Sequence, residues 1–359
     1  MRTVTVAGPS QVRVLDNEDA RPGPGELLVE MKACGICGSD LEKVFGQYGQ
    51  PSMRLGHEPA GVVVDMGEPV ADGPDGGARP AGFSRGDRVF THHHVPCYSC
   101  HLCTHGQETM CPRYYETNLS PCGLSERYVV PAWNVSHGGV LKLPDSITFA
   151  EAAMIEPLAC CVRAWRKIDH RPGDSVAVHG VGPTGIMHVM LAAMRNSSSI
   201  TCLDLNDYRL QFASDVIGED PSPAVRTIRS DDASRRDAIL GQSGGLGADV
   251  SIVATSSIQA LAYAISTTRK GGTVMMFGVP SRGATMEADM ADIYSREITL
   301  LTSYAASDRD TAEALGLIES GKIDVGRLVT HSYGLSDSQR AFEHARAGDG
   351  AMKIIITGD

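Results

Sequence analysis

The sequence is short of positive charge: 32 Lys and Arg stand against 43 Asp and Glu, a formal net charge of −11. That deficit excludes a protein built to grip a polyanion, because nucleic-acid binding needs a basic stripe that releases counterions. Any apolar run near the roughly 18–20 residues that cross a bilayer is also missing. The longest greasy stretch, Ile186 to Met194, is interrupted by His188 and reads as a buried helix, so no membrane partner is expected. The opening MRTVTVAGPSQVRV alternates like a strand and lacks the apolar core of a signal peptide, which points to a cytoplasmic protein. Internal repeats are absent. Aromatic residues are only 5% of the chain, which fits a polar pocket better than a greasy one.

What remains is an ordinary globular mixture, 42% hydrophobic and 21% charged, over 359 residues. That length is about twice a typical domain, so two domains, or one interrupted by another, are expected. Residues 1–148 are rich in Gly and Pro. Their short alternating runs (Val4–Val14, Glu26–Met31, Gly61–Val64, Arg88–Phe90, Arg127–Val130) predict a barrel-like β domain. The Pro/Gly/Asp-rich stretch Gly67–Gly86 reads as a surface loop without chemistry. From Phe149 to residue 293 the texture becomes strand–helix alternation, which implies a parallel sheet with helices on both faces. A helix is predicted over Phe149–Ile168 and strands over Ser175–His179, Ile200–Leu203, Val250–Ala254 and Thr273–Phe277. Helices are predicted over Thr184–Arg195 and Asp207–Ile217. The segment 294–359 adds a further strand, a helix over Asp308–Ser320 and a closing strand, Lys353–Thr357.

Ten cysteines raise the question of disulfides, and their spacing answers it. Cys97, Cys100, Cys103 and Cys111 have two, two and seven residues between them, flanked by Pro96 and Pro112. Four thiolates on one short loop close a tetrahedron around zinc with no position left for water. Bridges between cysteines three apart are strained, and the spacing matches neither ferredoxin pattern. A structural zinc is therefore expected.

After the strand ending at His179 comes Gly180-Val181-Gly182-Pro183-Thr184-Gly185, which opens a helix. Glycines in that context let the backbone approach a pyrophosphate, and the helix N-terminus supplies free N–H groups and a positive dipole end. Nineteen residues on, the next strand ends in Asp204. A carboxylate there bonds the adenosine ribose hydroxyls and repels a 2′-phosphate, which favours NAD over NADP, with Arg209 able to soften the choice. A further set stands on separate Gly- or Pro-marked turns: Cys37 in CGICGSD, His57 and Glu58 in GHEPAG, and Glu156 in IEPLACC. One thiolate, one imidazole and one or two carboxylates leave zinc an open position for a substrate oxygen.

Together with the THHHVPCYSCHLC loop, GLSERYVVP, GVGPTG and the KIIIT strand, these motifs resemble the zinc-dependent medium-chain alcohol dehydrogenases over nearly the whole chain. The sorbitol, polyol and threonine dehydrogenase branch is nearest. The resemblance implies an α/β protein with a GroES-like catalytic domain interrupted by a Rossmann domain, the active site lying in the cleft between them. It implies two zinc ions per chain, one structural and one catalytic, and homo-dimers or homo-tetramers. The catalytic zinc would map onto Cys37, His57 and Glu156, with Glu58 as an alternative ligand. Ser39 would match the proton-relay hydroxyl and Asp40 the carboxylate that orients the zinc-bound imidazole.

The resemblance implies hydride transfer between NAD and a secondary alcohol of a small polar polyol, sugar alcohol or cyclitol, or the corresponding ketone. Two alternatives stand beside it: an amino-alcohol, threonine-type or aminocyclitol dehydrogenase or ketone reductase, and a catalytically silent dinucleotide-binding homologue. Glu42 departs from the family, where many relatives carry a proton-passing His. It is open to a relay role, a substrate contact or plain solvation. His92-His93-His94 is assigned to packing or cleft lining, because adjacent residues on a strand point to alternate faces. Cys34, Cys122, Cys160, Cys161 and Cys202 are read as buried free thiols, and Tyr48, Glu108 and Asn118 as candidate substrate contacts.

Overall fold

A computed structural model describes residues 1–46, 54–69, 82–217 and 223–358. Tyr48 and the middle of the Gly67–Gly86 loop lie outside the described residues. The chain forms two compact units, one of Met1–Ala159 and Ala306–Asp359, the other of Cys160–Ala305. These divisions fall later than residues 148/149 and 293/294.

In the first unit, the hairpin β1 (Arg2–Gly8) and β2 (Gln11–Asp16) precedes the long β3 (Leu27–Gly35). Then come β4 (Pro59–Met66), β5 (Arg88–Thr91), β6 (Arg127–Val130) and β7 (Val140–Lys142). The alternating N-terminal run is thus folded back on itself at Gly8–Gln11, with Arg2 opposite Asp16. The second unit holds β8 (Ser175–His179), β9 (Ser199–Asp204), β10 (Ala224–Arg229), β11 (Ala248–Val253), β12 (Thr268–Met276) and β13 (Thr299–Thr302). The chain then returns to the first unit with β14 (Val329–Gly334) and β15 (Lys353–Thr357).

The larger sheet of the first unit has the order β14-β15-β3-β4-β5-β7, with β6 also on β3. Every pairing is antiparallel except β14 with β15. Its core gathers Val29, Met31, Val63, Leu119, Tyr128, Phe342, Ile354 and Ile356. The second unit is a six-stranded sheet, β10-β9-β8-β11-β12-β13, parallel throughout. That order reverses direction between β8 and β11, which makes the end of β8 the switch point where open sheets of this type take ligands.

Several elements differ from the sequence expectation, the strands β7 and β14 among them, and two have a clear physical cause. The predicted helix Phe149–Ile168 is two helices, Phe149–Ala152 and Ile155–Lys167. Pro157 lacks an N–H and its ring clashes with the carbonyl four residues back, at Ala153, so the first helix stops and a second begins. Strand β10 has no counterpart in the expected elements. Its sequence, AVRTIR, carries two arginines and forms a sheet edge, where one flank meets solvent and hydrophobic alternation weakens.

Candidate functional site

The first cluster is built on the turn that ends β3. Cys37 precedes the helix Gly38–Phe45, and Asp40 lies in its first turn. Asp40 is fully buried. Its carboxylate accepts the N–H groups of Cys37 (3.4 Å) and Gly56 (3.3 Å), meets Lys43 Nζ at 3.2 Å and faces His57 Nδ1 at 3.5 Å. Burial opposes its charge, but His57, Lys43 and the Gly56 N–H outweigh that and hold its carboxyl well below the usual range. Burial likewise disfavours a charged His57, yet Asp40 and Cys37 raise its proton affinity well above that of a free imidazole.

One donor atom from each of Cys37, His57 and Glu58 falls within 4.8 Å of the others. A sulfur, a ring nitrogen and a carboxylate oxygen so gathered fit the donor set of a zinc site with an open position. Glu58 is buried, and Lys353 Nζ from the first residue of β15 meets its Oε2 at 2.5 Å. Burial lowers the Lys353 proton affinity, but Glu58 foremost, then Cys37 and Glu156, reverse the sign, so the ammonium stays charged. Gly35 makes room for this pair: a Cβ there would sit 1.8 Å from Glu58 Oε2. Lys353 was missed in the sequence, although a lone Lys heading an apolar strand is a signal for a buried anion, since lysine is almost never buried unpaired. Ser39 and Glu42 lie on the same helix and are exposed.

Glu156 is gathered with two imidazoles. Its carboxylate and one nitrogen each of His92 and His93 lie within 4.8 Å of one another. The packing assignment describes His94, whose Nδ1 meets the Thr117 carbonyl at 2.9 Å and whose ring lies 5.3 Å from that of Tyr114. His92 and His93 pack as well: their ring centroids lie 5.2 Å apart, and that of His92 lies 6.5 Å from Tyr114. They sit just beyond β5, in a bend where strict face alternation ends, and both reach one carboxylate. Asn118 Oδ1 accepts the Leu119 N–H, and Glu108 is buried in the cysteine loop. Cys34, Cys122, Cys161 and Cys202 are buried thiols, whereas Cys160 is half-buried.

The four-cysteine loop brings its sulfurs together at 3.5 Å (Cys100–Cys103), 3.8 Å (Cys100–Cys111) and 3.5 Å (Cys97–Cys111). A tetrahedron with arms of about 2.3 Å has edges of about 3.8 Å, whereas a disulfide is about 2.05 Å long. The loop therefore fits one zinc and no bridges. N–H groups of Cys97 and Cys100 donate to Cys111 and Cys97 sulfurs at 3.4 and 3.3 Å, which stabilises thiolates.

In the second unit, the Gly180–Gly185 turn leaves β8 at the switch point and enters the helix Pro183–Met194, with Pro183 in its first turn. A Cβ on Gly185 would lie 2.0 Å from the Gly180 carbonyl oxygen, so the turn closes only with glycine there. Asp204, at the end of β9, accepts the N–H of Val181 (2.8 Å) and of Asn206 (3.0 Å). Arg209 extends to the same turn, with its guanidinium 3.7 Å from the position of a Cβ on Gly182. Gly180, Gly182, Pro183, Thr184, Gly185, Asp204 and Arg209 thus form one locality. The helix N-terminus and its unpaired N–H groups fit a pyrophosphate.

Residues 23–145 match the alcohol dehydrogenase GroES-like domain, and residues 183–320 match the zinc-binding dehydrogenase family. The chain is 32% identical over 344 residues to a probable D-xylulose reductase A of Neosartorya fischeri, covering 93% of this chain and 90% of that one. It is 30% identical over 349 residues to an L-threonine 3-dehydrogenase of Deinococcus deserti, covering 95% and 94%. The solved alcohol dehydrogenase TADH of Thermus sp. ATN1 superposes with a TM-score of 0.85 at 25% identity, over the full length of both chains. With a GroES-like unit, a parallel dinucleotide-type sheet and both cysteine-bearing donor sets in one chain, the protein belongs to the zinc-dependent medium-chain alcohol dehydrogenase family.

Proposed function

We propose that the chain is a zinc- and NAD-dependent dehydrogenase acting on a secondary alcohol of a small polar polyol, sugar alcohol or cyclitol, or reducing the matching ketone. The observation that carries this reading is the gathering of Cys37, His57 and Glu58 donors around one point, with Asp40 behind the imidazole. The D-xylulose reductase relative supports the polar substrate class.

When bound, zinc supplies a Lewis acid and NAD a hydride acceptor. The chain's own residues do the rest. Asp40 holds the His57 ring by Nδ1, which leaves Nε2 as the donor. Lys353 offsets the charge of buried Glu58. In this proposal Glu58 takes the resting ligand position and Glu156 is the exchanging carboxylate. The Ser39 hydroxyl passes the alcohol proton outward, and Glu42, exposed on the same helix, receives it or contacts the substrate. Asp204 selects NAD by placing a carboxylate where a 2′-phosphate would bring like charge. The proposed assembly is a homo-dimer or homo-tetramer in the cytoplasm.

A second reading, a dehydrogenase of amino alcohols, is favoured by the L-threonine 3-dehydrogenase relative and by the carboxylate of Glu42, which suits an amine. A panel of polyols, cyclitols and amino alcohols, each assayed with NAD and with NADP, separates the two. Turnover of polyols with NAD, lost in Cys37→Ser, is the expected result. Turnover confined to amino alcohols establishes the second reading. No turnover on any alcohol by zinc-loaded protein overturns both in favour of a silent dinucleotide-binding protein.

A further inference from the structure

We infer that Arg229 is a second determinant of nucleotide choice: Asp207 and Asp231 hold its guanidinium and so withhold it from the 2′-phosphate that distinguishes NADP from NAD. This inference rests on the proposed reading of the glycine turn as a dinucleotide site, and it names further residues that set the selectivity of that site.

Asp204 alone does not decide the matter, because an arginine nearby lets a site of this type accept the extra phosphate. Arg229 is placed for that task. It is the last residue of β10 and stands in register with Asp204 across the parallel pair of β10 with β9. The next N–H, that of Ser230, donates to the Asp204 carbonyl at 2.8 Å. The Arg229 side chain reaches over the segment that follows β9, where its Nη1 donates to the Leu205 carbonyl at 2.8 Å. A guanidinium in that place, with its fork of donors open, suits a phosphate monoester.

The fork is not open. Nε and Nη2 donate side by side to Asp231, at 2.9 and 3.0 Å, and Nη1 meets Asp207 Oδ1 at 2.8 Å. With the Leu205 carbonyl, four of the five N–H groups that an arginine carries are in use. Asp207 opens the helix Asp207–Val216, where its charge also complements the helix dipole. Asp231 lies in the turn after β10. Both carboxylates are exposed and Arg229 is half-buried, so the pairs add little to stability and matter for where the cation is held. Together with Asp204 they outnumber the Arg229 charge, and a 2′-phosphate, itself close to doubly charged, has to displace at least one of them. Arg209, at the same end of the sheet, is treated differently. Its Nε has no hydrogen-bond partner, and its guanidinium extends to Gly182.

The test is calorimetric titration of the full-length protein with NAD and with NADP, read as the ratio of the two dissociation constants. Asp207→Asn/Asp231→Asn removes both charges that hold the guanidinium while keeping side-chain shape. It is expected to shift the ratio toward NADP by about tenfold. Adding Arg229→Gln to that double variant should abolish the shift, because the gain runs through the freed cation. A merely structural role for these residues weakens both nucleotides together and leaves the ratio where it was. A double variant with the wild-type ratio overturns the inference. So does a shift that persists in the triple variant, because loss of negative charge alone then explains it. Should the double variant fold poorly by thermal melting, Asp231→Asn alone, which removes the two-bonded partner, is read in the same way. A wild type that binds neither nucleotide, or binds NADP at least as tightly as NAD, overturns the dinucleotide reading and this inference together. A wild type that prefers NAD beside an unshifted double variant overturns this inference alone.

Discussion

Glu58 is wholly buried, and its counter-ion Lys353 lies beside it, 2.5 Å away. Breaking such a pair from one side leaves an uncompensated charge in the interior. Lys353→Met is therefore expected to destabilise the first unit by about 3–5 kcal/mol, read from denaturant unfolding. The double variant Glu58→Gln/Lys353→Met should recover much of that loss. A half-buried carboxylate, Asp308, behaves differently. Asp308 accepts the Tyr98 hydroxyl at 2.5 Å, and burial pushes its pKa up from 3.8 to about 6. A carboxyl whose folded value lies above its unfolded value binds its proton more tightly when folded, so folding stability rises as pH falls from about 6 to 3.8. The excursion is on the order of 2 kcal/mol. Asp308→Asn keeps the oxygen that accepts from Tyr98 and should flatten that slope in melting temperature against pH. At this scale the sequence showed donor types well and partners poorly. Cys37, His57, Glu58 and the four zinc-spaced cysteines carry their chemistry in their identities and spacing. Lys353 acquires its partner only from the strand pairing that brings the end of the chain to Glu58.

The Gly180–Gly185 turn permits a test that separates folding from binding. A Cβ on Gly185 collides with backbone, so Gly185→Ala is expected to destabilise the second unit by about 1–3 kcal/mol, measured by thermal unfolding. A Cβ on Gly182 meets nothing nearer than the Arg209 guanidinium at 3.7 Å, and its φ of −66° suits any residue. Gly182→Ala should keep the wild-type melting temperature yet weaken NAD binding by about tenfold or more, measured by calorimetry, if backbone approach to a pyrophosphate is what the glycine serves. The turn was legible because its glycines stand between an apolar strand and a buried apolar helix. The break at Ala153 was less so, because the pattern from Phe149 onward stays helical across it and only Pro157 marks the restart. Strand β10 was hidden for the opposite reason: two arginines at a sheet edge erase the alternation that makes a strand readable.

The molecule as a whole alternates between its units, beginning and ending in the antiparallel one. Composition and the change in texture near Phe149 made both architectures readable, whereas the exact division was not, because contacts and not periodicity decide to which unit a helix belongs. The parallel sheet ends at β13, a short strand on which Leu300 is 49% exposed, and the helix before it, Met290–Ser295, exposes Met290 (67%) and Tyr294 (86%). Apolar groups exposed on the edge strand and the helix before it make this end of the sheet a candidate surface for the proposed self-association. Leu300→Asp is expected to lower the sedimenting mass toward the monomer while leaving the far-ultraviolet circular dichroism unchanged.

Strand β15 lies between β14 and β3, pairing Ile356 with Cys34, so a slot in the middle of the first sheet is filled by chain translated roughly 300 residues later. At about 5–20 residues per second, the Ala33–Gly35 end of β3 waits tens of seconds for that partner, whereas its Leu27–Glu30 end takes β6 much sooner. During that wait the parallel sheet can complete itself, while the antiparallel one offers an unpaired edge to any neighbour. Expression yield should therefore depend on holdase chaperones and translation speed more steeply than the stability of the finished protein would imply.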